Sequence, residues 1–206
     1  MTTIAEKREK LRVQAERRAE REKAMAAKIL ALPRKQYGVI LADPPWQFET
    51  WSDNGLGRSA ENHYPTVDTT TLANLPVDKL AAEDCFIAMW CVNSMLPQAL
   101  HVMSAWGFEY KTNGAWIKGK MSLGYWMRGR HELFLLGTRG QVPAPSPDLR
   151  PVSTFFAHQR EHSRKPDDLH EILEGWFPNV PKLELFARNN RPGWDSWGTK
   201  PEGMGF

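Results

Sequence analysis

From Tyr37 onward the chain is broken into short runs that are apolar on both faces: Val39–Ala42, Cys85–Cys91, Ala115–Ile117, Leu133–Leu136, Val152–Phe156 and Leu183–Ala187. A strand of this kind must be covered above and below, which a sheet flanked by helices provides and a one-sided antiparallel sheet does not. Helices are predicted over 95–106 and 167–176, the second following Pro166, with Asp167 or Asp168 bringing negative charge to its first turn. Strands alternating with helices predict the α/β class, an open, doubly wound, largely parallel sheet. Three stretches interrupt the alternation, 47–71, 118–131 and the proline-rich 140–150. Long loops inside such a domain are usually lids or recognition elements.

Residues 4–31 contain no Gly or Pro and are rich in Ala, Glu, Arg and Lys, which predicts one helix of roughly 40 Å. The predicted organisation is therefore a basic helical extension over 1–35 and an α/β domain over 36–206. The extension carries 11 Lys/Arg against 5 Asp/Glu, whereas the rest of the chain carries 16 against 19. The basic excess could meet phosphates, but packing of its alanine-rich end on the domain is the plainer expectation. Cys85 and Cys91 share one apolar run, and a bridge between them would fold a strand on itself, so two buried, reduced thiols are expected. With no secretory, membrane-spanning or lipidation signal in the sequence, the expected location is the cytoplasm.

The run Val39-Ile40-Leu41-Ala42 leads directly into Asp43-Pro44-Pro45-Trp46. A strand that delivers a carboxylate at its carboxyl end places it where open α/β sheets bind ligands. The two prolines fix φ and supply no N–H, so the corner is stiff and its carbonyls have few local partners. The Asp43 carboxylate and the Pro44 carbonyl can then face one amino group, with the flat ring of Trp46 beside them.

VILADPPW resembles the signature of the adenine-N6 methyltransferases named for the seventy-kilodalton subunit of the eukaryotic messenger-RNA enzyme, a family with many bacterial and phage members. The likeness runs through most of residues 37–200. Asn62-His63-Tyr64-Pro65-Thr66 is similar to the family's base-pocket segment. Phe86-Ile87-Ala88-Met89-Trp90 is similar to the strand that ends in a pocket tryptophan, and Gly129-Arg130-His131-Glu132 to the stretch whose acid holds the target nucleotide. His162-Ser163-Arg164-Lys165-Pro166-Asp167 resembles the loop whose lysine binds the cofactor carboxylate. Leu183–Arg188 with Pro192-Gly193-Trp194 resembles the strand and turn that grip the cofactor ribose. Thr199 and Lys200 stand where the family has an Asn followed by Gln or Glu that contact the cofactor.

The resemblance implies a seven-stranded Rossmann-like class I methyltransferase fold in permuted order, with the catalytic motif ahead of the cofactor-binding strand. It implies S-adenosylmethionine as cofactor, contacted by Asp43, Lys165, Arg188, Asn189, Asn190 and Thr199. It further implies that Asp43, Pro44, Pro45 and Trp46 are catalytic, and that Trp46, Tyr64, Trp90 and Glu132 surround a flipped adenine. Two acceptors on the two amine hydrogens would favour a pyramidal nitrogen and free its lone pair, so catalysis would be positional and electrostatic.

In the loop 118–131, Lys118, Lys120, Arg128 and Arg130 stand beside Tyr125 and Trp126, equipment for phosphate contacts and base stacking. Gly114–Lys120 imitates a phosphate-binding loop, but Met121 takes the place of the metal-binding hydroxyl residue and Trp116-Ile117 belongs in a strand. His158–His162 spells an inverted zinc-protease pattern outside any helix, so no metal site is expected. DNA is the favoured nucleic acid. RNA, or a catalytically silent nucleic-acid-binding partner subunit, is the alternative, and a homodimer is left open.

Overall fold

The computed structural model describes residues 35–47, 67–121, 126–160 and 164–198, together with scattered positions between 9 and 27. Tyr64, His162, Thr199 and Lys200 lie outside these residues. The described positions between 9 and 27 are helical, and Met25, 1% exposed, packs into the core of the sheet domain.

Seven strands form one sheet in the order β5-β3-β4-β2-β1-β6-β7. They are β1 (Tyr37–Ala42), β2 (Ala81–Cys91), β3 (Glu109–Lys118), β4 (His131–Arg139), β5 (Thr154–Ala157), β6 (Lys182–Leu185) and β7 (Trp194–Trp197). Helices α1 (Thr69–Ala73), α2 (Leu96–Ala105) and α3 (Asp168–Trp176) join them. β1 pairs in parallel with both β2 and β6, so the chain leaves the centre in one direction and returns later on the other side. That reversal is the switch point at which a Rossmann-like sheet opens a crevice beyond its carboxyl edge.

Alternation along the central strands explains why their sequences read as unbroken apolar runs. Ile40, Ala42, Ile87, Met89, Leu183 and Leu185 face one core with α2, whereas Val39, Leu41, Phe86, Ala88 and Trp90 face a second core with Leu169 and Leu173 of α3. The sheet is not wholly parallel. β4 runs antiparallel to both β2 and β3, its neighbour in the chain, so β3 and β4 form a hairpin pair.

Other boundaries differ from the sequence reading for local reasons. The strand expected at 152–156 begins only at Thr154, leaving Val152 81% exposed. The strand expected to reach Ala187 stops at Leu185, because Phe186 turns the chain at φ 64°. β7 and α1 were not foreseen. Cys85 and Cys91 are buried free thiols, both pushed by burial up to about 12. Among the described residues no helix is long and apolar enough to cross a membrane.

Candidate active site

Strand register brings the chemistry together. Ala42 pairs with Met89, so Asp43, the next residue, comes beside Trp90. Trp90 pairs with Phe134, and Glu132 pairs with Trp116. With a side-chain period of two, Asp43, Trp90, Glu132, Trp116 and then Lys118 share one face at the carboxyl end of the parallel strands. The loop before α3 adds Lys165, whose carbonyl accepts a 3.0 Å hydrogen bond from Arg160 Nη2.

These residues form a chain of alternating charge. Lys165 Nζ donates to Asp43 Oδ1 at 2.8 Å and Oδ2 at 3.0 Å, and it lies 3.1 Å from Glu132 Oε1. The other oxygen of Glu132 lies 2.6 Å from Lys118 Nζ. The side chains are largely buried, from 8% exposed for Glu132 to 21% for Asp43. The two ammonium groups also stand over indoles, Lys165 at 5.6 Å from the Trp90 centroid and Lys118 at 4.9 Å from that of Trp116.

Burial penalises every charge in this chain, and the neighbours decide the result. Burial pushes the Asp43 carboxyl above its usual range; Lys165 opposes this and the Glu132 charge adds to it. Burial also works against the Glu132 charge, but Lys165 and Lys118 outweigh it and hold that carboxyl below its usual range. For Lys165 the two carboxylates overcome burial and keep the ammonium protonated.

The corner is held by its own backbone. Asp43 N–H donates to the Leu185 carbonyl of β6 at 3.3 Å, the Pro44 carbonyl accepts from Trp46 N–H at 2.8 Å, and the Pro45 carbonyl accepts from Val67 N–H at 2.8 Å. The proline carbonyls are thus not idle, as the sequence suggested; Pro44 offers its second lone pair. Trp46 also differs from expectation. It is 5% exposed, and its indole N–H donates to the Trp90 carbonyl at 3.1 Å, so it braces the corner from behind and presents little ring to a base.

Trp90 is 2% exposed and edge-packed on Trp116 and Phe134, so it is core as well as floor to Lys165. Lys118 does not join the expected phosphate-binding group, because two residues beyond the inward Trp116 it points inward too. Lys120, Arg128 and Arg130 are exposed on the hairpin. Gly114–Lys118 lies in β3, so it builds no phosphate loop.

Beyond β6, Arg188, Asn189 and Asn190 are exposed at the carboxyl edge. Arg191 holds this turn against α3 through 2.6 and 2.9 Å bonds to Glu174, which also accepts the Trp194 indole N–H at 2.8 Å. The Arg188 charge also acts on Asp43, so a guanidinium and the amides of Asn189 and Asn190 stand on the strand end next to the corner. A cavity of about 500 Å³ lies elsewhere, among Phe134, Val142, Pro143, Pro145, Ile172 and Trp176, and none of the four ion-chain residues lines it.

The family MT-A70 matches residues 37–200. A type II methyltransferase, M.MunI, from a Mycoplasma species is 35% identical over 183 residues, covering 81% of this chain and 78% of its own. The human N(6)-adenine-specific methyltransferase METTL4 is 30% identical over 190 residues, and the human N(6)-adenosine-methyltransferase catalytic subunit METTL3 is 25% identical over 179. The matches cover 38% and 29% of those two human proteins. With the motif-bearing corner at the switch point and this match along most of its length, the chain belongs to the MT-A70 family.

Proposed function

We propose that this protein transfers a methyl group to the N6 amine of an adenine in DNA, with S-adenosylmethionine as donor. The observation that carries the reading is the Asp43 carboxylate, fixed at the carboxyl end of the central strand and paired with Lys165. The cofactor supplies an electrophilic methyl on a sulfonium. Lys165, Arg188, Asn189 and Asn190 would hold it, with Thr199 assigned by position in the motif.

The rest is done by the chain itself. The lone pair of the adenine amine is delocalised into the ring, so the nitrogen is a poor nucleophile. Asp43 accepts one amine hydrogen and Pro44, through its second lone pair, accepts the other, which localises the lone pair on nitrogen. A nitrogen–carbon bond forms as the carbon–sulfur bond breaks, and the nitrogen then sheds one proton, for which Asp43 is the adjacent acceptor. No covalent intermediate with the protein is needed; the contribution is orientation and preorganised charge. Glu132 keeps Lys165 paired while the amine engages Asp43. Tyr64 is assigned to the base by its motif.

The match to the type II methyltransferase over most of both chains favours DNA. RNA is the second reading, favoured by the likeness to the adenosine methyltransferases. A cytoplasmic location is part of the same proposal. Incubation with labelled cofactor and mixed DNA and RNA, followed by nucleoside mass spectrometry, tests the proposal. N6-methyladenine in DNA is expected; label in RNA alone, or in neither, sinks it.

A further inference from the structure

Large hydrophobic side chains exposed among the described residues number seven, and three of them, Met121, Trp126 and Met127, lie in the hairpin between β3 and β4. Trp126 is 89% exposed and Met127 85%, the two highest values of the seven. Neighbouring apolar side chains left this exposed mark a surface that another molecule contacts. Three exposed cations, Lys120, Arg128 and Arg130, surround it, so the surface it meets carries negative charge as well as apolar area. Stacked bases between phosphate backbones have both properties.

The position of the hairpin narrows this further. Its neck is closed by Lys118 N–H donating to the Arg130 carbonyl at 2.8 Å and by Arg130 Nε donating to the Lys118 carbonyl at 3.3 Å. The neck residues Lys118 and Glu132 belong to the ion chain that ends on Asp43. Glu132 is six positions from Trp126, a reach of at most about 20 Å. The apolar tip therefore springs from the rim of the reaction site itself.

We infer that Trp126 and Met127 form an apolar wedge that enters the base stack of duplex DNA and fills the gap left by the extruded adenine. Apolar side chains are used this way by proteins that open base steps, and an enzyme acting on a base must meet the cost of unstacking and unpairing it. That cost is absent when the target is already single-stranded, so the wedge makes duplex DNA the preferred substrate. The inference rests on the proposed adenine methylation and deepens it.

The test compares kcat/KM of the wild-type protein and of Trp126→Ala, Met127→Ala and the double variant on three matched DNA substrates. These are a duplex, the same duplex with an abasic site opposite the target, and the single strand. The expected result is a fall of at least tenfold in the ratio of duplex to single-strand activity for the double variant, with the abasic duplex restoring much of it. In parallel, a duplex with 2-aminopurine at the target should brighten on binding wild type and brighten less with the variants, a readout that needs no methyl transfer. An unchanged ratio overturns the wedge, as does wild-type activity confined to single strands. An equal loss on all three substrates, accompanied by loss of a dimer in sedimentation, overturns it in favour of a protein contact. A wild type that brightens the probe yet transfers no methyl overturns the proposed reaction and spares the wedge.

Discussion

Lys165 places its ammonium within 3.0 Å of both oxygens of Asp43, a residue 122 positions earlier in the chain, and touches Glu132 at the same time. An ammonium with two carboxylate partners can release one without becoming unpaired. The cost of freeing Asp43 for a substrate amine is thereby reduced, because Glu132 remains and Lys118 balances it. Replacing Asp43 with Ala is expected to lower methyl transfer by at least about 10²-fold, the scale of a lost preorganised polar contact. Single-turnover rates with labelled cofactor measure this, and near-normal turnover removes Asp43 from the mechanism.

The ion chain also predicts a pH dependence. Asp43 accepts a hydrogen only when ionised, and its folded carboxyl titrates above its usual range because of burial and the Glu132 charge. Activity should therefore fall on acidification at a higher pH than an ordinary aspartate would give. In Glu132→Gln the like charge is gone and Lys165 is left to Asp43, so the acidic limb should move to lower pH, whatever the change in maximal rate. A limb that stays in place, or moves upward, contradicts this assignment of charges.

Lys118 is expected to act through Glu132 and not on phosphate. Lys118→Met leaves Glu132 with one cation, and breaking a buried pair costs on the order of 3 kcal/mol. The sign with pH follows from Glu132, which titrates below its usual range in the fold. Its stabilisation is present above the unfolded value and is lost as pH falls from there through the folded value. Without Lys118 the folded value rises towards the unfolded one, so the loss should be smaller and complete at higher pH. Denaturation curves from about pH 2 to about pH 7, spanning the range below the ordinary glutamate value, with Lys118→Arg as the variant that restores the pair, measure both effects. If Lys118→Met instead weakens DNA binding in a salt-dependent way at unchanged stability, Lys118 contacts phosphate after all.

Gly198 lies where the end of β7 passes the end of β6, and a Cβ there would collide with the backbone of Phe186 and Ala187. Phe186 already holds the left-handed conformation at φ 64° and packs edge-on against Trp197. Strain of that kind costs of order 1–3 kcal/mol and cannot easily absorb a further shift. Gly198→Ala should lower thermal stability and weaken cofactor binding together. A melting temperature within 1 °C of wild type shows that the turn yields.

Much of this was legible in the sequence, and the reasons are local. The β1 run and the two prolines after Asp43 specify a strand and a stiff corner, and the two-faced apolar runs specify a sheet covered on both sides. What depended on register was less visible. Trp46 turns into the core, and Lys118 faces Glu132, only because four strands align as they do. β7 escaped because its buried residues, Trp194 and Trp197, are three apart and break the alternation that marks a strand. The antiparallel β4 escaped because burial on both faces looks the same in either direction.

The central position of β1 has a consequence for how the protein is made. One edge of β1 is covered by β6, which begins at Lys182, so that edge has no partner until nearly the whole sheet has left the ribosome. At ordinary elongation rates the interval is roughly 10–30 s, during which an unpaired strand edge is open to other chains. Nascent chains stalled before Lys182 should need a chaperone to stay dispersed, whereas chains carried past Trp197 should not. Pelleting of ribosome-released fragments would show the difference.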